Sequence, residues 1–318
     1  MRLPEPRGPL SGTVLDALAG AASALPARLP ASGDPLADED LQLALHVCFE
    51  LHYRGLDGVD GRWARDPGLV ALRLAAQERF GAALRRLVPV PAPVPAREVP
   101  RALEALVEAD DGPSLSAYLA RRATIEQFRE FVMHRSIYHQ RGAAPVEIQA
   151  GGYGGGRPGR VHAGLFRTTM RELGLDTAHG AYLGRVPAVT LAAGNLMSLF
   201  GLHRRLRGAL LGHLAAHGMT SPLPNRRYGD GLRRLGGGRD ATRFYDKHAE
   251  AGAAPDLCGA FCAAEPGQSA AVLWGAACAL ALDARFAEHL LDSWAGGGSS
   301  LRPQLPSARR VPAGAPGA

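Results

Sequence analysis

Leucine recurs at helical spacing over long stretches of this chain, and this feature constrains the fold most. The longest stripe runs from Ala188 to about His217, with leucines three to five residues apart. Another long apolar stretch covers about 268–295. This spacing predicts amphipathic helices, and no stretch alternates apolar and polar residues as a strand does. The sequence therefore predicts an all-α fold built as one helical bundle.

Capping residues, glycine and proline indicate where the other helices begin and end. Asp38 is expected to begin a helix that stops at Gly55, and the proline-rich run 88–100 is expected to be an extended connector. Pro222 and Pro224 are expected to end the helix that begins at Ala188. Further helices are predicted over about 68–88, 101–110, 115–140, 160–174, 226–235 and 239–262.

Both ends of the chain are rich in proline, glycine and small residues. We therefore expect residues 1–37 to be a flexible lead-in and residues 298–318 to be a disordered tail. Residues 38–297 are expected to form a single helical domain.

The net charge of +6 comes almost entirely from arginines that are scattered along the chain, since Lys247 is the single lysine. This distribution does not form the basic stripe of a nucleic-acid-binding protein, so no nucleic-acid partner is expected. Neither a signal peptide nor a membrane span is expected, and a cytoplasmic location follows from that. The cysteines lack the paired spacing of a zinc site and are expected to be buried as small apolar residues: Cys48, Cys258, Cys262 and Cys278.

Several motifs occur together in the middle and later parts of the chain. They are YGGG at 153–156, NLMSLFGLHRRLRGAL at 195–210 and NRRYG at 225–229, with longer similar segments around them. In this combination the chain resembles the iron-containing redox enzyme family, whose members have the heme-oxygenase-like fold. The resemblance implies a heme-oxygenase-like helical bundle.

The resemblance also implies a chemistry. Enzymes of this wider fold hold two non-heme irons per chain between core helices and use O₂ to oxidise a small organic substrate. Imidazole and carboxylate ligands suit iron, and bridging carboxylates hold two like-charged ions close together. The implied cofactor is therefore iron, and the implied partners are O₂ and a small-molecule substrate. A homodimer is left open as the assembly.

The ligand positions of the family are only partly retained in this chain. By resemblance, His162 and His248 occupy two positions that bind iron in the family. The other ligand positions carry residues that cannot bind iron: Gly152, Gly218, Gly252 and Pro255. The segment that carries a further family glutamate after Tyr138 is missing. We therefore expect iron binding to be impaired.

Two hypotheses of different class remain. In the first, the chain is an oxidase or oxygenase, either degenerate or rescued by substitute ligands among Glu147, His217, Glu250 and Asp256. In the second, it is a non-catalytic relative that serves as a scaffold or binds a small molecule without metal. The sequence alone does not decide whether the chain is an enzyme.

Three other patterns have simpler interpretations. His46 and Glu50 lie one helical turn apart, which suits a helix-face interaction better than a metal pair. His203 and the arginines that follow it suit an ion-pair network at least as well as an anion site. The glycine-rich run 151–160 lacks the preceding strand and the terminal residues of a phosphate-binding loop.

Overall fold

A computed structural model describes residues 1–21, 25–26, 28–31, 33–140, 162–250 and 255–303. Within these ranges the chain forms thirteen α-helices and no strand, which confirms the predicted all-α class. The helices are α1 (Pro9–Leu18), α2 (Glu39–Glu50), α3 (Pro67–Leu87), α4 (Val99–Glu108), α5 (Leu115–Arg121), α6 (Ile125–His139), α7 (His162–Glu172), α8 (Ala188–Gly201), α9 (Arg207–Thr220), α10 (Pro222–Arg234), α11 (Arg239–Ala249), α12 (Pro255–Ala264) and α13 (Ser269–Ala295).

The most extensive helix pairing of the bundle joins α9 to α13. Gly212 and Gly275 lie where the two helices cross, and a Cβ atom added at either glycine would overlap the backbone of the opposite helix. Only glycine allows two helix backbones to approach this closely. The crossing fixes the position of α9, which contributes two histidines to the interior.

Helix α13 is the longest of the described helices and lies in the middle of the packing. Its length and apolar composition alone would also suit a membrane crossing, and half of its most apolar window is buried inside the bundle. Core helices satisfy the same criterion of length and composition.

Two predicted helices are each divided by a turn. The helix predicted over 115–140 is interrupted before Thr124, whose side chain accepts a hydrogen bond from the backbone of Gln127 and starts α6 with a capping box. The helix predicted over 188–217 ends at Gly201 and resumes at Arg207 as α9. Both predictions were wrong because a strong local cap or turn outweighs a continuous apolar stripe.

The helix predicted to end at Pro222 does end there, since α9 stops at Thr220, but the next helix begins at Pro222 rather than at 226 as predicted. Pro222 is the first residue of α10, where proline has no intrahelical N–H bond to lose. Pro255 occupies the corresponding position at the start of α12. The helix predicted over 239–262 therefore consists of two helices, α11 and α12, on either side of residues 251–254, which the structure does not describe.

The flexible lead-in expected over residues 1–37 needs correction, because α1 packs against α2 and buries Leu10 and Val14 completely or nearly so. The side chain of Arg7 is 1% exposed and bonds to Glu39 at 2.6 Å. The same guanidinium donates to the carbonyl oxygens of Leu183 and Val186, at 2.6 and 2.8 Å. Burial of apolar surface and this polar anchor hold the segment in place.

The tail was expected to be disordered from residue 298, and this is wrong for its first residues. Ser300 is buried, and its backbone N–H and hydroxyl both donate to Glu130 on α6. Leu301 is also buried. The remainder of the predicted tail, from residue 304, lies outside the described residues. All four cysteines are buried free thiols, as predicted.

Candidate functional site

Three histidines from three helices form one chain of contacts. His139 is the last residue of α6, His162 is the first residue of α7, and His248 lies near the end of α11. Nδ1 of His139 is 2.7 Å from Nε2 of His162. Nδ1 of His162 is in turn 2.7 Å from Nε2 of His248. The two retained family positions therefore meet directly, and His139 extends them to a row of three, called the histidine row below.

Aromatic side chains hold the histidine row against the bundle. The ring of Phe244 on α11 lies 4.9 Å from the rings of both His139 and His162 and 4.3 Å from that of His248. Phe166 on α7 packs against both His139 and Phe244, with ring centroids 4.6 and 4.9 Å away. Both phenylalanines are almost completely buried, so the imidazoles rest on a rigid apolar wall.

One backbone carbonyl fixes the tautomers along the row. Nδ1 of His248 is 2.6 Å from the carbonyl oxygen of Phe244, which can only accept a hydrogen bond, so this nitrogen carries the proton. In the neutral ring, Nε2 of His248 then accepts from Nδ1–H of His162. By the same logic, Nδ1–H of His139 donates to Nε2 of His162. Each imidazole is therefore assigned the Nδ1–H tautomer.

Burial keeps all three imidazoles neutral. Loss of solvation, followed by the neighbouring His248 and Lys247, lowers the pKa of His162 to about 3. Burial, with His162 as the next cause, holds the pKa of His139 well below its usual value. The pKa of His248 is lowered by burial, against which the bond to Phe244 acts. Neutral imidazole is the form that binds metals, but here both nitrogens of His162 are already bonded to other histidines.

The other predicted ligand positions contribute no donor to this row. Gly218 lies in α9 and Pro255 begins α12. Gly152, Gly252 and the substitute Glu147 fall outside the described residues. Among the remaining substitutes, Glu250 and Asp256 are exposed, and His217 faces an interior cavity.

A di-iron centre requires a donor set that the histidine row does not supply. Over the described ranges, no group of three or more His, Cys, Asp or Glu side chains is arranged to hold a metal ion. The row offers imidazoles alone, and its nitrogens bond to one another rather than converge on a point. Two iron ions held close together need bridging carboxylates to offset their mutual repulsion. The described residues therefore do not fit a di-iron centre.

A cavity lies beside the histidine row, between α6, α8, α9 and α13. Water-sized molecules could fill about 40 Å³ of it. At the solvent-facing edge of the cavity, where the side chain of Asp283 is 55% exposed, Arg135 and Asp283 form an ion pair at 3.0 Å, and the guanidinium of Arg135 also stacks over the ring of Phe286 at 4.8 Å. The lining includes His134, Ile137, Thr190, Leu196, His213, His217 and Leu282.

The histidines of this cavity differ in how their nitrogens are satisfied. His134 bonds to Thr190 at 2.6 Å and to Ser300 at 3.1 Å, so both of its nitrogens have partners. His213 is 3% exposed, and neither of its buried nitrogens has a hydrogen-bond partner among the residues that the structure describes. His217 lies one helical turn further along α9, with ring centroids 5.1 Å apart. Burial and the nearby His217 hold the pKa of His213 well below its usual value.

Two of the patterns given simpler interpretations form contacts within the chain, and the glycine-rich run 151–160 lies outside the described residues. The carboxylate of Glu50 is fully buried and lies 2.7 Å from Nε2 of His179. His203 contacts Gln77 at 2.8 Å, and Arg207 pairs with Glu265 at 2.6 Å.

Sequence reasoning missed His139 and most of the cavity. His139 lies at the end of the helix predicted over 115–140, and this position was a usable signal. His213 and His217 at i and i+4 on one helix were a second signal. The contributions of Arg135 and Asp283 depend on how α6 and α13 pack, which no local pattern reveals.

Fold and site together define a class: an all-α bundle with a histidine row where three helices meet and a polar cavity in its interior. Residues 131–284 match the model of a family described as iron-containing redox enzyme. This segment of the chain belongs to the iron-containing family, and the all-α bundle is consistent with the heme-oxygenase-like fold. His139, His162 and His248 all lie inside the matched segment. A search among curated proteins finds no significant match.

Proposed function

We propose that this chain derives from O₂-dependent di-iron oxidases or oxygenases, has lost the iron centre, and binds a small organic molecule without oxidising it. The observation that carries the proposal is the 2.7 Å contact between Nδ1 of His162 and Nε2 of His248. At the two retained positions, the nitrogens that would face metal ions are bonded to each other.

The chemistry of the donors supports this loss. A metal ion could bind to the histidine row only after the hydrogen bonds between the imidazoles are broken. In addition, at least one Nδ1 proton would have to leave or one imidazole ring would have to rotate. The metal ion would then gain imidazole ligands without any carboxylate to balance its charge. Iron in O₂-activating sites is held by a mixture of histidine and carboxylate. The free energy that normally favours iron in such a site is therefore largely absent.

The substituted positions support the same conclusion. Gly152, Gly218 and Gly252 have no side chain that could bind a metal, whatever their surroundings. Pro255 replaces a family histidine and begins a helix. Among the described residues, Asp283 is the only acid in the wall of the cavity. It is paired with Arg135, so its charge is already offset.

The competing function is an oxidase whose ligands have been replaced by other residues. It would need a carboxylate such as Glu147, Glu250 or Asp256 to reach the histidine row, and the last two are exposed. The family membership of the chain is what favours this alternative.

Iron reconstitution of two matched proteins tests the proposal. The natural chain and the variant Gly152→Glu/Gly218→Glu/Gly252→Asp/Pro255→His are incubated anaerobically with Fe(II), desalted and analysed for metal. We expect substoichiometric iron in the natural chain and up to about two irons per chain in the variant. Iron near that level in the natural chain would contradict the proposal. A folded variant without iron would contradict the assignment of the ligand positions.

A further inference from the structure

The interior cavity, rather than the histidine row, offers a binding site for a specific kind of molecule. We propose that it binds a small uncharged organic molecule whose polar group, a hydroxyl or an amide, hydrogen-bonds to His213. The proposal rests on the proposed function of small-molecule binding and names the class of ligand.

His213 is the residue whose hydrogen-bonding state indicates a ligand. Its side chain is buried, with 3% exposure, and both ring nitrogens are enclosed without a partner. His134 in the same wall has both ring nitrogens hydrogen-bonded, in contrast to His213. Buried polar atoms without partners are rare and destabilising. A ligand that enters the cavity would supply the missing bond.

The hydrogen-bonding character of His213 selects the polar group of the ligand. A neutral imidazole offers one N–H donor and one nitrogen acceptor. The two nitrogens point in different directions, so one polar group bonds to only one of them, and a group that can both donate and accept can bond to either. Hydroxyl and amide groups meet this requirement, whereas an ether or a ketone only accepts.

The balance of charge in the wall selects an uncharged ligand. Arg135 and Asp283 neutralise each other at 3.0 Å, and the facing imidazoles of His134, His213 and His217 have lowered pKa values caused mainly by burial. A ligand with a net charge would lose its hydration and find no free counter-charge. Carboxylates and ammonium compounds are therefore expected to be excluded.

The size and the apolar part of the cavity limit the rest of the ligand. The water-sized space of about 40 Å³ corresponds to a few water molecules. Ile137, Leu196, Leu282 and Phe286 supply apolar surface on the wall. A molecule with one polar group and a short hydrocarbon part fits this combination.

The test compares acetamide with acetate, because the two have the same number of heavy atoms and differ in charge. The full, metal-free chain with isotope-labelled histidine is titrated with each compound and followed by NMR of the imidazole resonances. We expect saturable shifts of His213 with acetamide, and binding of acetate weaker by about tenfold or more. No shift of His213 with acetamide, or equal binding of acetate, would overturn the proposal.

Two variants test whether acetamide binds in the cavity. His213→Leu retains the approximate volume of the side chain and removes the polar atoms, so it should abolish acetamide binding and raise the melting temperature of the free protein. His203 lies outside the cavity, so the control variant His203→Asn should leave acetamide binding unchanged. Acetamide binding that persists in a folded His213→Leu protein would overturn the proposed site.

The two proposals fail in different ways. Uptake of iron by the natural chain contradicts the metal-free function, whatever acetamide does. Absence of acetamide binding in a chain that also takes up no iron contradicts only the inference about the cavity.

Discussion

Nδ1 of His162 and Nε2 of His248 lie 2.7 Å apart and form a hydrogen bond between helices α7 and α11. Because the carbonyl of Phe244 accepts a hydrogen bond from the far nitrogen of His248, the direction of the bond between the two histidines is fixed. The contact links the two histidines that the sequence predicts at iron-binding positions.

The tautomers of the histidine row follow from that link. His139, His162 and His248 should all be neutral at pH 7 and carry the proton on Nδ1, because the carbonyl of Phe244 sets the direction of every bond. Long-range ¹H–¹⁵N correlation of the imidazoles measures the tautomer of each ring. A proton on Nε2 of His248 would contradict the bond to Phe244.

Acid stability should depend on His134. Burial, with His289 and Arg135 as lesser causes, lowers the pKa of His134 to about 3. An unfolded histidine has a pKa near 6.5, so between about pH 6.5 and pH 3 the unfolded state binds a proton that the folded state does not. His134 should therefore reduce the free energy of unfolding by about 1.4 kcal/mol for each pH unit below 6.5, and have no effect above it.

The variant His134→Gln keeps polar atoms near Thr190 and Ser300 but cannot take up a proton. Denaturant unfolding of both proteins between pH 7 and pH 4 should show a shallower loss of stability in the variant. Identical slopes in the two proteins would show that His134 does not cause the loss.

The crossing of α9 and α13 should tolerate no side chain at its glycines. Gly275→Ala places a methyl group where the backbone of Ala209 lies, and should lower the free energy of unfolding by about 1–3 kcal/mol or more. Gly164→Ala in α7 is the matched control, since its added methyl group meets no atom within 4 Å. The control should be neutral or stabilised by up to about 1 kcal/mol. Equal effects of the two substitutions in thermal unfolding would contradict the close crossing.

The N-terminal segment should depend on its buried arginine. Arg7→Met removes the bonds to Glu39 and to the carbonyls of Leu183 and Val186, and should cost about 2–4 kcal/mol because the two buried carbonyl oxygens lose this donor. Arg2→Met on the exposed surface should change stability by less than about 0.5 kcal/mol. Chemical denaturation measures both, and a harmless Arg7→Met would show that the segment is only loosely attached.

Much of the helical layout follows from the sequence, because helix ends carry local signals. Asp38 caps α2 as its carboxylate and position predict, and α3 and α13 lie within one or two residues of their predicted limits. The errors arose where an apolar stripe concealed a local signal: the capping box at Thr124, the break between Gly201 and Arg207, and the start of α10 at Pro222. Proline ends a helix from inside but begins one from its first turn.

The functional site was predictable only in part, and from a family resemblance rather than from local helix signals. The resemblance of the motifs to a family assigns His162 and His248 to one site from the sequence alone, although their contact with His139 depends on three helix ends meeting in space. The ion pair of Arg135 and Asp283 joins residues 148 positions apart, so only the packing of α6 against α13 reveals it. The unpartnered state of His213 is likewise a property of the packed interior.

Iron stoichiometry of the natural chain separates a vacated metal site from a working one. The metal-free protein is titrated anaerobically with Fe(II), freed of unbound metal, analysed for iron, and then exposed to O₂ while oxygen consumption is recorded. We expect substoichiometric iron and no oxygen consumption above that of the buffer. About two tightly bound irons per chain, with consumption of O₂, would contradict the loss of the iron centre and indicate a di-iron oxidase.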